Sequence, residues 1–259
     1  MMEFFGPAAA LTPAGVEGAL AAASLEQPEL WCVLSVETSG CGYLPDRRPK
    51  ILFERHVFSR LTGHQYDADD PDISQPTAGG YGVSGAHQFD RLNAAMQLDQ
   101  TAALQSASWG LGQIMGENFQ AAGYASVESL VADMVASEDN HLRAMVRFLS
   151  SQGMIGPLMS HDWASFARRY NGPDYAGNNY DGLLGHFYAR YSAGALPDLT
   201  VRTAQIYLSY LNYSIGGVDG VQGPATRAAV LTFQAKASMA QTGVIDDALI
   251  AALKTALGL

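Results

Sequence analysis

The longest helical signal in the chain runs from Tyr124 to Ser150. Val127, Leu130, Val131, Met134, Val135, Leu142, Met145, Val146 and Leu149 recur over it at helical spacing, and Ser126 stands where an N-cap belongs. A stripe of that length must be covered by other apolar faces. It therefore predicts a central core helix in a mainly α-helical domain, with its methionines as packing. Apolar residues form 48% of the 259-residue chain, enough for such a core, and the length admits one or two domains.

A second apolar run, Leu30-Trp31-Cys32-Val33-Leu34, also fits a helix that packs into a core. Pro28 suits its first turn and Gly40 its stop. Glu37 stands at the end of that run. Burial and the negative end of the helix dipole both favour a neutral carboxyl there. A carboxylic acid that keeps its proton near neutral pH can protonate the leaving oxygen of a glycosidic bond. Taken alone, a solvated helix boundary is the commoner reading of such a residue. Two further segments bear on it. Ser106–Gly116 is a Gly-rich turn in which Gly110 and Gly112 admit close approach of a ligand and Gln113 supplies one amide; by itself it reads as a packing turn. In the segment 163–172, Trp163, Phe166, Ala167 and Tyr170 share a helical face that Asn171-Gly172 ends, leaving Tyr170 and Asn171 at a loop edge. Tyr170 reads equally well as core packing.

Glu37-Thr38-Ser39-Gly40, Gly110-Leu111-Gly112-Gln113-Ile114 and Tyr170-Asn171-Gly172 together resemble, in order and separation, the boxes of the lysozyme-like superfamily. Residues 25–192 more closely resemble the N-acetylmuramidase family of phage endolysins. That likeness rests on Lys50-Ile51-Leu52-Phe53-Glu54-Arg55-His56, Gly79-Gly80-Tyr81-Gly82, Ser108-Trp109-Gly110, Gln113-Ile114-Met115-Gly116 and Asn179-Tyr180-Asp181. The resemblance implies a lysozyme-like α-helical catalytic domain with a small irregular or β flap. It implies hydrolysis of the β-1,4 bond between N-acetylmuramic acid and N-acetylglucosamine in peptidoglycan. Glu37 is then the general acid, and Ser108, Gln113, Tyr170, Asn171 and Tyr81 are substrate contacts. Thr38 replaces the usual Ser and keeps the hydroxyl. Glu54, with Arg55 or His56 to hold it ionised, is the first candidate for a second carboxylate, ahead of Asp72 and Asp174; a structural ion pair is its other reading. Three alternatives stand beside hydrolysis: a lytic transglycosylase giving 1,6-anhydro products, which needs no second carboxylate, a non-catalytic wall-binding protein, and an amide-cleaving wall enzyme.

Residues 201–253 read as three short amphipathic helices, capped by Thr200, started at Gly223-Pro224 and capped by Asp246. Gly217-Val218-Asp219 and Gly243-Val244-Ile245-Asp246 form a weak repeat. The segment resembles the peptidoglycan-binding three-helix module, which implies wall-binding roles for Asp219, Gly220, Gly223 and Thr226. The expected division is a catalytic domain over 1–194, a linker over 195–200 and the module over 201–259.

Residues 1–197 hold 21 acidic and 11 basic side chains, whereas 198–259 hold four of each. The acidic excess argues against nucleic acid and offers nothing to anionic lipid. Peptidoglycan is the partner that the resemblance implies, and a monomer is expected. The N-terminus lacks a basic residue before its apolar stretch, and no run is long enough to span a membrane. The expectation is retention in the host cytoplasm until a separate pore-forming protein gives access to the periplasmic wall. Cys32 and Cys41 flank Glu37 and are expected reduced. The six histidines lack ligand spacing, and the acidic run Asp67–Asp72 lacks the glycine of a calcium loop, so neither metal nor cofactor is expected. Residues 64–88 are rich in Gly and Pro and read as a mobile or short-stranded flap beside the cleft.

Overall fold

The computed structural model describes residues 4–38, 40–173, 175–194 and 196–259. Ten helices build the first unit: α1 (Pro13–Ala23), α2 (Gln27–Thr38), α3 (Arg55–Leu61), α4 (Gln88–Leu98), α5 (Gln100–Gln105), α6 (Val127–Ala136), α7 (Glu138–Ser151), α8 (Ile155–Met159), α9 (Trp163–Tyr170) and α10 (Tyr180–Ser192). Strands β1 (Ile51–Phe53), β2 (Ala107–Trp109) and β3 (Ile114–Met115) form an antiparallel sheet in that order, with Ile51 opposite Trp109 and Ser108 opposite Met115. The mainly α reading holds, but the strands lie at three of the sequence motifs rather than in the flap. Residues 64–84 are turns, tied by Asp67, which accepts from Ser59 at 3.1 Å and Ser74 at 2.6 Å.

Helix α2 is buried along its length. Leu30, Trp31, Cys32, Val33 and Leu34 are all at most 2% exposed, and α10 packs along it, with Ser35 and Tyr191 hydroxyls 2.6 Å apart. A helix covered on every side carries little amphipathic signal. Its apolar run therefore marks the centre of the fold more faithfully than the 124–150 stripe does.

That stripe is two helices, not one. Ser137 is extended (φ −159°) and its hydroxyl accepts the Asn140 N–H at 3.2 Å, capping α7. The N-terminal segment fills the break: Ala9 donates to Ala136 O at 3.0 Å and Glu138 donates to Ala9 O at 2.9 Å. Both helices pack on one core, so the stripe resumes in phase at Leu142 after the polar run Ser137–His141 that holds the break. The break turns Glu138 inward to full burial.

The C-terminal unit comprises α11 (Leu199–Tyr210), α12 (Pro224–Lys236) and α13 (Asp247–Leu257). Gly223-Pro224 and Asp246 start α12 and α13 as expected. Asp198, not Thr200, caps α11: its carboxylate accepts from Thr200 N at 2.8 Å and Val201 N at 3.0 Å, which a residue already inside the first turn cannot do. The repeat is also shifted by three residues. Gln205 holds the Asp219-Gly220 turn, accepting from Gly220 N at 2.9 Å, and Gln234 holds Thr242-Gly243, accepting from Gly243 N at 2.9 Å. Two buried glutamines thus make twin turns, and the equivalent residues are Gly220-Val221 and Gly243-Val244.

This unit is seated on the first. Its core of Ile206, Leu208, Val230, Phe233 and Leu249 continues into Ala8, Ala10, Cys41 and Tyr43. Arg202, 1% exposed, pairs with Glu138 through two N–H···O contacts of 2.5 and 2.7 Å. Glu138 also accepts from Gly42 N at 2.8 Å and Leu11 N at 3.0 Å. Removing one partner of such a pair costs about 3–5 kcal/mol, because the other charge stays buried. A chain ending at residue 197 is therefore predicted to lose at least about 3 kcal/mol of the first unit's stability in urea unfolding. Unfolding of that truncated chain at the full-length midpoint would show that the contact holds nothing together.

Candidate active site

A cavity of about 640 Å³ opens over the sheet, and its lining includes Glu37, Glu54, Tyr81, Ser108, Gln113, Tyr170 and Asn171. All seven catalytic and substrate-binding candidates read from the sequence thus come together. They arrive from five places: the end of α2, the start of α3, the flap, the β2–β3 hairpin and the end of α9. Asn178, Met115 and a third carboxylate, Glu117, which pairs with Arg60 at 2.6 Å, also line the cavity.

Glu37 reaches the cavity, but its carboxyl is packed round by protein. Burial raises its pKa to about 7, against a hydrogen bond from Tyr180 that works the other way. The Tyr180 hydroxyl donates to Oε1 of Glu37. Burial, then the Glu37 charge, holds that phenol far above its usual range, so it stays a donor. Tyr180 stacks on Tyr170 with ring centres 6.4 Å apart, and Tyr170 on Phe166 at 5.4 Å. The Tyr170 hydroxyl donates to Gly112 O, so Tyr170 is both a wall of the cavity and a tie to the hairpin. Tyr180 is the site residue that sequence reasoning missed. It lay inside a recognised stretch, but its partner is 143 positions away.

Several expected roles change with the geometry. A Cβ at Gly110 would lie 2.7 Å from His141 Nδ1, and one at Gly112 would lie 2.8 Å from Met145 Cγ. These glycines let α7 approach the hairpin; they do not make room for a ligand. His141 Nδ1 accepts the Leu111 N–H at 3.0 Å while Nε2 faces Met134 O at 2.6 Å, which assigns the ring proton to Nε2. Gln113 is largely occupied within the hairpin, donating to Gly110 O at 2.7 Å and accepting from the Ser108 hydroxyl at 2.8 Å. Its amide shapes the cavity wall before it meets any sugar.

Glu54 is the N-cap residue of α3 but does not cap it with its side chain. Burial raises its pKa; His56, with Nδ1 3.1 Å from Oε2, Tyr81 and Arg91 oppose that rise. Arg55 was the other expected partner. It instead packs against Gly80 and donates to Pro71 O at 3.3 Å, so Arg91 is the guanidinium that matters. Asp72 is exposed outside the cavity lining, and Asp174 lies outside the described residues.

In the C-terminal unit, Asp219 accepts from Gln205 at 2.8 Å and from Val221 N at 2.9 Å, Gly220 is buried, and Thr226, 2% exposed, donates to Ile215 O at 3.1 Å. Asp219, Gly220 and Thr226 hold the turn, with Asp219 exposed, and Gly223 starts α12. Among the described residues no group of three His, Cys, Asp or Glu side chains is placed to hold a metal. Both thiols are free, and burial pushes Cys32 up to about 12.

Tyr180→Phe removes the hydrogen bond that favours ionised Glu37. The alkaline limb of kcat is predicted to move to higher pH in that variant, and a limb that stays put or moves down would contradict the contact.

Residues 26–192 match the model of the N-acetylmuramidase family, and residues 198–253 match that of the peptidoglycan binding domain. Among solved structures, the Burkholderia AP3 phage endolysin is similar at 39% sequence identity and a TM-score of 0.65, over 71% of this chain and 72% of that one. No curated protein matches the chain. With an acid held near neutrality in a cleft and a helical module on the same chain, the protein belongs to the N-acetylmuramidase family and is a glycosidase of peptidoglycan.

Proposed function

We propose that the enzyme hydrolyses the β-1,4 bond between N-acetylmuramic acid and N-acetylglucosamine, with Glu37 as proton donor and Glu54 as the second carboxylate. The observation that carries this reading is a carboxyl raised by burial to about 7 that shares one cavity with a second, half-buried carboxyl. Tyr180 occupies Oε1 of Glu37, which leaves Oε2 to carry the proton toward the bridging oxygen. Charge then develops at the anomeric carbon. Glu54, whose carboxyl burial raises and His56 and Arg91 draw back toward ionisation, is the candidate to meet that charge or to draw a proton from water. A second carboxyl in the cavity favours hydrolysis over attack by the sugar's own 6-hydroxyl. Ser108, Asn171 and Tyr81 are the remaining polar contacts for the glycan, with Tyr170 as an aromatic wall.

We assign 1–194 to the catalytic domain, 195–200 to a linker and 201–259 to the wall-binding module. The family matches over 26–192 and 198–253 support this division in outline, although α11 already begins at Leu199. In the module Val221 and Val244, each 50% exposed, stand at equivalent positions of the twin turns and are its candidate wall contacts. The likeness to a phage endolysin supports action on the wall at host lysis. Action as a monomer, after a separate pore-forming protein opens the way, is part of the same proposal. No described helix is long and apolar enough to cross a membrane.

Three results test the reading. Wall digests are predicted to carry reducible N-acetylmuramic ends; anhydro ends would make the enzyme a transglycosylase, and reducible N-acetylglucosamine ends would mean the other bond is cut. The donor must be protonated, so kcat should fall about tenfold per pH unit above pH 7. Glu54→Gln is predicted to lower kcat by about a hundredfold or more, and wild-type kcat in that variant would leave Glu37 as the sole carboxyl of the reaction.

A further inference from the structure

The turn that follows Glu37 is held from two sides. From within the catalytic unit, Lys50 Nζ donates to Thr38 O at 2.9 Å, and the Thr38 hydroxyl donates to Leu111 O at 3.1 Å. From the C-terminal unit comes Arg202. Its Nε donates to Gly40 O at 2.9 Å, Nη2 donates to the same oxygen, and the guanidinium is paired with Glu138. Glu138 in turn accepts from Gly42 N at 2.8 Å, so one ion pair grips the turn at both Gly40 and Gly42. A second, independent contact sits beside it. Gly40 adopts φ +85°, and a Cβ there would lie 2.6 Å from Val218 O, so the backbone of the module rests directly on this turn. The guanidinium also lies 6.0 Å from the ring centre of Trp31, inside α2 itself.

A fastener between two units needs only a surface contact. This one reaches Gly40, just beyond the catalytic helix, through an ion pair whose two members are at most 1% exposed. Arg202 carries one planar fork that meets a carboxylate and a carbonyl together, a geometry a lysine ammonium does not reproduce. The Glu37 carboxyl is set by the last turn of α2, and a misplacement of a donor by a fraction of the glycosidic bond length is enough to slow proton transfer.

We propose that Arg202, from the first helix of the wall-binding module, is a positioning residue for Glu37, so that the module forms part of the active-site framework as well as a tether to the wall. The inference rests on Glu37 being the proton donor. It makes the module necessary even for substrates that never touch a wall, and it gives a route by which strain on the module, once bound to peptidoglycan, reaches the cleft.

The test measures kcat and KM of the full-length chain on soluble, uncross-linked glycan strands of the N-acetylglucosamine–N-acetylmuramic acid repeat. The variants are Arg202→Lys, the double variant Arg202→Met with Glu138→Leu, and Glu37→Gln as the baseline. The double variant removes both buried charges together, which is far less damaging to folding than orphaning one of them. Each protein is assayed well below its own unfolding midpoint, with the folded fraction measured by circular dichroism. Arg202→Lys and the double variant are both expected to lose between about tenfold and a hundredfold in kcat with KM little changed. Wild-type kcat in either folded variant, alongside an inactive Glu37→Gln, would reduce Arg202 to a fastener and overturn the proposal. Recovery of kcat in the double variant but not in Arg202→Lys would also overturn it, since the defect would then be a stranded charge. An active Glu37→Gln would instead remove the assignment of the acid, a separate failure.

Discussion

Helix α2 ends inside the protein, and a helix that ends there leaves carbonyls that water cannot satisfy. Their partners come from three parts of the chain. Lys50 of the approach to β1 takes Thr38 O, and a second donor set from α11 takes Gly40 O. The Thr38 hydroxyl links the same turn to Leu111 in the hairpin. Cations at this end also suit the negative pole of the helix. Sheet, hairpin and C-terminal module are thereby fixed around one turn, and the acid that precedes it inherits their rigidity.

The chemistry of Glu37 follows from the same burial. A carboxyl in water titrates near pH 4 and is useless as an acid at neutrality. Here desolvation raises it to about 7, and one phenolic hydrogen bond keeps the rise from going further. Tyr180 is itself placed by α10, the helix that packs along α2, so the helix that buries the acid also supplies its partner. Glu54 is raised for the same reason but faces His56 and Arg91, which pull it back toward the ionised form. Burial thus raises both carboxyls, and among the described residues only Glu54 has neighbouring basic groups to oppose the rise.

Much of the cleft was legible in the sequence because its residues sit in short local motifs. Glu37 closes an apolar run, Ser108 and Gln113 sit in the Gly-rich hairpin, and Tyr170-Asn171 end an amphipathic helix. What was misread depends on contacts between distant segments. Gly110 and Gly112 looked like room for a ligand until α7 was placed against them. The break at Ser137 lies in the polar run Ser137–His141, and it is concealed because the stripe resumes in phase beyond it, α6 and α7 facing one core. The pairing of Glu138 with Arg202 spans 64 positions, and each looks alone like a charge on an amphipathic helix. The repeat in the module was found in the wrong register because the glutamines that define it lie on the helices and not in the turns.

The claim on which the rest stands is that burial keeps Glu37 protonated near neutral pH. The most direct measurement is a carboxyl-carbon NMR titration of the full-length protein, with Glu37→Gln used to assign the signal. The account predicts that one glutamate titrates at about 7 and vanishes in the variant. A Glu37 signal that titrates near 4, as exposed carboxylates do, would contradict it.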